Sequence, residues 1–181
     1  MIGLIRHFKV LHKPQRRWMT GPQFTRWVEQ YDQGAIRSVP LASSDIEWDV
    51  CYCSPLSRAT RTAAFLFDGP LIVSDHLREI GIHAVSGARI RMPLTLWLGL
   101  ARLAWLFSHR SQVEGKKNVR LRAERIIDEI ERRYPSSNVL IVSHGAFMRV
   151  LDKALHSRGY SGRTDLPPRN GKLYLFRRFP G

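Results

Sequence analysis

The sequence predicts an α/β protein in three layers, α/β/α, with a mostly parallel central sheet and a small helical lid insertion. Three observations carry that expectation. Short apolar runs alternate with helical patterns along most of the chain. One run, 139–142, is apolar without interruption, as central parallel strands are. Arg6-His7, Arg58 and His144 all follow closely on the ends of such runs. In a parallel sheet those carboxyl ends share one edge, so residues far apart in sequence can meet there.

The first run, 2–5, is read as a buried strand that delivers Arg6 and His7 to its carboxyl end. A cation-rich loop follows through Arg17. Gly21-Pro22 opens a helix over 23–31, since proline suits a first turn and Phe24, Trp27, Val28 and Tyr31 share a face. Gly34 stops it. Residues 35–48, with Pro40 and the Ser43-Ser44-Asp45 cluster, are expected as loop.

Residues 50–53 form the second strand. Ser54-Pro55 turns the chain into a helix over 56–67 that carries Arg58 in its first turn, beside unpaired amides that favour an anion. Asp68-Gly69-Pro70 breaks this helix, and 71–73 is a third strand, followed by His76-Leu77-Arg78-Glu79. The lid spans approximately 81–117. Its helix, 93–108, is apolar almost all round, with Thr95, Gly99 and Arg102 as a narrow polar stripe. The uncharged run there is shorter than the roughly 18 residues a membrane span needs. It is expected to pack on the core or on a second subunit. An interfacial helix on an anionic membrane is the alternative.

Val119, Ala123, Ile126, Ile127, Ile130 and Tyr134 mark an amphipathic helix over 118–134, ended by Pro135. The strand 139–142 leads through Ser143-His144-Gly145 into a helix over 146–155, and a last strand covers 173–176. Without repeats or a composition break, residues 1–181 are expected to form one domain.

Composition is ordinary for a globular chain except for charge: 29 Lys+Arg against 15 Asp+Glu leave a formal net charge of +14. Such a field attracts anions without choosing among them. No interleaved aromatic platform accompanies the charge, so nucleic acid is not expected as a partner. Cys51 and Cys53 are expected to turn to opposite faces of their strand and to be reduced core thiols, which with the absent leader pattern suits a cytoplasmic protein. Two cysteines do not support a thiolate zinc site, and neither metal nor cofactor is expected.

An arginine beside a histidine at a strand end can grip an oxyanion and attack it. Taken singly, each residue has a plainer role. His7 could be a strand-end histidine bonded to backbone, and Arg6 and Arg58 surface cations. His144 could cap a helix, and Glu79 could be a solvated carboxylate with Asp75 nearby.

Four segments taken together resemble the signatures of the histidine phosphatase (phosphoglycerate mutase-like) superfamily. They are Leu4-Ile5-Arg6-His7, Ser54-Pro55-Leu56-Ser57-Arg58-Ala59-Thr60-Arg61-Thr62-Ala63, Leu77-Arg78-Glu79 and Val142-Ser143-His144-Gly145. The resemblance implies a phosphoglycerate mutase-like fold with His7 as the nucleophile and Glu79 as the proton donor. It further implies Arg6, Arg58 and His144 around the phosphate. Phe8 stands where the family usually has glycine and is expected to narrow or reshape the pocket, and the glycine and tryptophan pattern beyond the acid is missing.

The implied activity is metal-independent hydrolysis of a small phosphomonoester through a phosphohistidine. The alternatives are a silent phospholigand-binding protein and a mutase. Inorganic phosphate or sulfate is an expected occupant, and a homodimer is a further expectation. Lys9, Lys13, Arg16, Arg17, Arg89 and Arg91 are candidates for steering an acidic substrate.

Overall fold

The computed structural model describes residues 1–12, 18–39, 46–85, 90–107, 109–112 and 114–178. Pro40, Ser43-Ser44-Asp45, the expected helix end at Ser108, and Lys13, Arg16, Arg17 and Arg89 lie outside them.

The central sheet has six strands: β1 (Ile2–Arg6), β2 (Val50–Cys53), β3 (Leu71–Val73), β4 (Val139–Ser143), β5 (Tyr160–Ser161) and β6 (Leu173–Arg178). Their order across the sheet is β3-β2-β4-β1-β6-β5. β3, β2, β4 and β1 run parallel, while β6 is antiparallel to β1 and β5 antiparallel to β6. β2 and β4 are buried along their whole length, which explains their uninterrupted apolar sequences.

Among the described residues there are five α-helices: α1 (Gly21–Gln33), α2 (Ser57–Leu66), α3 (Leu94–Leu106), α4 (Lys116–Arg133) and α5 (Gly145–Ser157). On one face, Leu4, Tyr52 and Ile141 meet the apolar stripes of α4 and α5. Val119, Ile126, Ile127 and Ile130 of α4 are buried there. Burying such a side chain stabilises by about 1.5–3 kcal/mol. On the other face, Ile5, Leu140 and Val142 meet Ala59 and Ala63 of α2. Alternation along each strand thus sends successive side chains into the two helical layers.

Cys51 and Cys53 both lie in the α2-side cluster as free thiols. They share a face, contrary to the expectation from sequence, because residues two apart on a strand point the same way. Burial pushes the Cys51 thiol up to about 12 and Cys53 up to about 11, so neither is a thiolate at neutral pH.

Helix α3, in the segment expected as a lid, packs on α1. Trp97 is buried, stacks on Phe24 with ring centroids 5.6 Å apart, and donates its indole N–H to the Met19 carbonyl at 2.7 Å. Met92–Pro93, just before α3, pairs antiparallel with Trp18–Met19. The expected loop 35–48 contains Ile36–Arg37, which pairs with Lys9–Val10. Among the described residues, no helix is long and apolar enough to cross a membrane.

Candidate active site

Strand register brings the separated motifs together. Arg6 pairs with Ser143 across β1 and β4, and the His7 amide donates to the Ser143 carbonyl at 3.0 Å. The Ser54 amide donates to the Val142 carbonyl at 3.1 Å on the other side of β4. Arg6-His7, Ser54 and His144 therefore leave the sheet at one edge. α2 starts three residues beyond Ser54 and adds Arg58. The His7 and His144 rings lie 5.1 Å apart between centroids, tilted by 54°.

The protonation of His7 follows from its neighbours. Its Nδ1 lies 2.7 Å from the Phe8 carbonyl, which can only accept, so Nδ1 carries the proton. Nε2 then presents a lone pair, and Arg58 Nε donates to it at 3.2 Å. Burial is the largest cause holding the His7 pKa at about 3, and the Arg58 guanidinium adds to it. The Phe8 bond opposes that shift, and Arg6 supports it weakly. At neutral pH His7 is an uncharged imidazole whose unprotonated nitrogen accepts from the Arg58 guanidinium.

The Phe8 side chain stays out of this arrangement. Its ring is buried edge-on to Phe65, with 5.5 Å between centroids, and lies over Gly171. Gly171 has φ of +70°, and a Cβ there would come within 3.0 Å of the Phe8 ring. Phe8 therefore fills core behind the site rather than narrowing the cavity in front of it. Its amide donates to Thr62 Oγ1 at 2.9 Å, and Asn170 Nδ2 donates to the His7 carbonyl at 2.7 Å, so the backbone following His7 is held.

Arg58 is buried. Besides the bond to His7, it makes a 2.6 Å ion pair from Nη1 to Asp32 Oδ1 at the end of α1. Burial raises the Asp32 pKa, and its contact with Arg58 opposes the rise. Arg6 donates from Nη1 to the Pro168 carbonyl at 2.9 Å, while its Nε is buried without an acceptor. Gly145 begins α5 directly against this guanidinium: a Cβ there would stand 3.1 Å from both Arg6 Cζ and Nε.

His144 is fully buried and its Nε2 lies 2.7 Å from Ser54 Oγ. Burial, then the Arg58 charge, holds its pKa well below the ordinary value. With Ser54 donating to Nε2, the proton sits on Nδ1, a buried atom with no protein partner. Nδ1–H is then a donor awaiting an acceptor.

Glu79 follows the short 3₁₀ turn Asp75–Leu77 and reaches the N-terminus of α5. Oε1 accepts from the Ile80 amide at 2.9 Å and the Phe147 amide at 3.1 Å; Oε2 lies 3.4 Å from the Ala146 amide and 3.9 Å from Arg102 Nη2. The segment is anchored from α4. Arg122 makes a two-pronged ion pair with Glu114, 2.7 Å on each prong, and donates from Nη1 to the His76 and Arg78 carbonyls. Arg6 and Glu79 wall one cavity of about 810 Å³. His7, Arg58 and His144 are buried and do not themselves line it.

All five residues singled out in the sequence thus surround one edge of the sheet. Asp32, Ser54, Thr62 and Asn170, which hold them, carried no assigned role. Ser54 had a usable signal, its place at a strand end within the Arg58 segment; Asp32, at a helix terminus, had none. Lys9 and Arg91 are exposed and away from the cavity, whose cations are instead Arg102, Lys116, Arg120, Arg149 and Lys153 with Arg6. Among the described residues, no group of three or more His, Cys, Asp or Glu side chains is placed to hold a metal ion.

The model of the histidine phosphatase superfamily, branch 1, matches residues 4–181. A search of curated proteins finds no match for the chain. Solved structures share the fold at low identity. A putative α-ribazole-5′-P phosphatase from Escherichia coli is 19% identical, with TM-score 0.55, and the match covers 99% of this chain and 96% of that one. The mycobacterial glucosyl-3-phosphoglycerate phosphatase is 20% identical, with TM-score 0.51 and coverage of 85% and 78%. A phosphoserine phosphatase mutant from Entamoeba histolytica, in complex with phosphoserine, is 14% identical, with TM-score 0.50 and coverage of 86% and 79%.

Proposed function

Because this chain belongs to the histidine phosphatase superfamily, branch 1, we propose that it hydrolyses small phosphomonoesters through a phosphohistidine on His7. The observation that carries this proposal is the fixed tautomer of His7. Nδ1–H is bound to the Phe8 carbonyl, and Nε2 keeps its lone pair among positive charges. A nucleophile aimed at a phosphate dianion needs both features. The lone pair forms the bond, and the surrounding cations make the approach of a negatively charged group favourable.

The steps follow from the groups in place. The arriving phosphate draws the Arg58 guanidinium from His7 Nε2 and from Asp32 onto its own oxygens. Arg6 Nε and His144 Nδ1–H, both without protein acceptors, take further phosphoryl oxygens. Nε2 attacks phosphorus in line, the bond to the ester oxygen breaks, and Glu79, as the carboxylic acid, gives that oxygen a proton. Glu79, now a carboxylate, removes a proton from a water that attacks the phosphohistidine. Phosphate leaves and His7 is restored. Arginines and a histidine supply the charge stabilisation, so the scheme draws on no metal. The phosphatases that share the fold support ester hydrolysis as the reaction class, and the mycobacterial one also has a complex with VO3.

The buried cradle favours one rival specifically. Arg58 occupies Nε2, and His7 is only 2% exposed, as in a protein that binds a phosphorylated ligand without turnover. Hydrolysis of p-nitrophenyl phosphate separates the two. The wild type is expected to release nitrophenol, and His7→Asn to abolish release while keeping affinity for inorganic phosphate. Binding without turnover in the wild type establishes the rival.

A further inference from the structure

The cavity beside Arg6 and Glu79 is larger than a phosphate needs. One wall is a face of α5, where Gly145, Ala146, Arg149, Val150, Lys153 and Ala154 recur at helical spacing. Gly145, packed against the Arg6 guanidinium, marks its phosphate end. A rise of about 1.5 Å per residue then places Arg149 about 6 Å and Lys153 about 12 Å along α5 from that point. Lys116 and Arg120, in the first two turns of α4, reach the same cavity, where the helix's free amides add positive potential. Trp105 and Leu106 of α3 and Ile80 give it an apolar wall.

Two independent features point to a second anion here. The cavity carries six cationic side chains and one carboxylate, Glu79. Among the described residues, Lys116, Arg149 and Lys153 have no carboxylate within 4 Å; Arg120 is paired with Glu124 at 2.7 Å. Opposing cations concentrated in a concave, partly apolar site focus their field on whatever enters it. In addition, Arg102 Nη1 and Trp105 Nε1 are buried donors without acceptors, and both belong to residues that wall this cavity. A buried donor left unpaired costs about 1–3 kcal/mol, which a ligand rich in acceptors offsets.

We propose that this cavity binds a second anionic group of the substrate. The substrate is then an elongated phosphomonoester with an apolar or planar middle lying along Trp105 and Val150, and a distal anion at Arg149 and Lys153, about 6–12 Å from the ester by the α5 rise. The proposal rests on the hydrolase reading for the location of the ester phosphate.

The test compares 4′-carboxybiphenyl-4-yl phosphate with biphenyl-4-yl phosphate at low ionic strength. In the wild type, kcat/KM is expected to favour the carboxylated probe by about tenfold, the scale of one charge-assisted contact. In the double variant Arg149→Ala with Lys153→Ala, that ratio is expected to fall to within about twofold of unity. A wild-type ratio near one, or a preference that survives in the double variant, overturns the proposal; the latter assigns the effect to the general positive field. Should neither probe be hydrolysed, the hydrolase reading fails alone. The affinity ratio of the two probes, from biphenyl fluorescence on the same proteins, then decides the subsite by the same criteria.

Discussion

Two imidazoles buried beside guanidinium groups make folding itself sensitive to acid. In the folded chain the pKa of His7 is about 3, against 6.5 when it is unfolded. Between those values the unfolded state binds a proton that the folded state excludes. Stability is therefore fully present above about pH 6.5 and falls as pH falls, by up to about 1.4 kcal/mol per pH unit for each such histidine. His144 is shifted in the same direction and adds to the effect. Urea unfolding at pH 7 and pH 4.5 should show that His7→Asn loses less stability on acidification than the wild type, by about 2 kcal/mol. Equal losses would mean that His7 is protonated in the folded chain. Glu79 invites a different comparison. A glutamine keeps a carbonyl oxygen for the α5 amides but cannot supply the proton. Glu79→Gln should slow alkyl phosphates on the order of 10²-fold or more and aryl phosphates, whose leaving groups need less help, far less. Equal losses in kcat on both ester classes would assign Glu79 to structure alone.

At the scale of elements, the junction of β4 and α5 does two jobs. It brings His144 into the cradle, and through Gly145 it lets Arg6 pack where a side chain would otherwise stand. In Gly145→Ala, the methyl would meet a guanidinium already tethered to Pro168, so Arg6 must move by a few tenths of an ångström. The KM for a phosphomonoester is expected to rise by about tenfold, the loss of one good charged contact, while thermal stability holds or improves because alanine favours helix. Unchanged kinetics with reduced stability would contradict this. Some of this local architecture was legible in sequence. Apolar runs that stop at Arg6, Ser54 and Ser143 mark buried strands, because a chain leaving a sheet exchanges burial for polar contacts. The covering elements were not. Helix α3 has apolar residues nearly all round, so periodicity cannot say which side it buries; Trp97 decides that by stacking on Phe24, 73 positions earlier. The pairing of Met92–Pro93 with Trp18–Met19 is likewise a long-range contact with no local marker.

Over the whole molecule, parallel strands do the gathering. β2, β4 and β1 lie side by side in register, and their carboxyl ends set residues from the first tenth, the first third and the last quarter of the chain around one point. The positions of Arg6, His7, Arg58 and His144 could be read from motifs because they sit at strand ends and a helix start, where the sequence pattern itself changes. Their partners could not. Asp32 reaches Arg58 from the far end of α1, and Asn170 reaches His7 from a loop before β6, through distances that only the folded sheet defines. The net charge of +14 was equally silent about location: Lys9 and Arg91 face solvent, and the cations that meet in the cavity with Arg6 come from α3, α4 and α5.

The account depends most on which atom takes the phosphoryl group. Rapid quenching of the wild-type protein with an excess of aryl phosphate, followed by phosphorus NMR and mass mapping under alkaline conditions, reads this directly. Phosphate on Nε2 of His7, absent from His7→Asn, is the predicted result. Phosphate on Nδ1, on another residue, or on no residue during continuing turnover would contradict it.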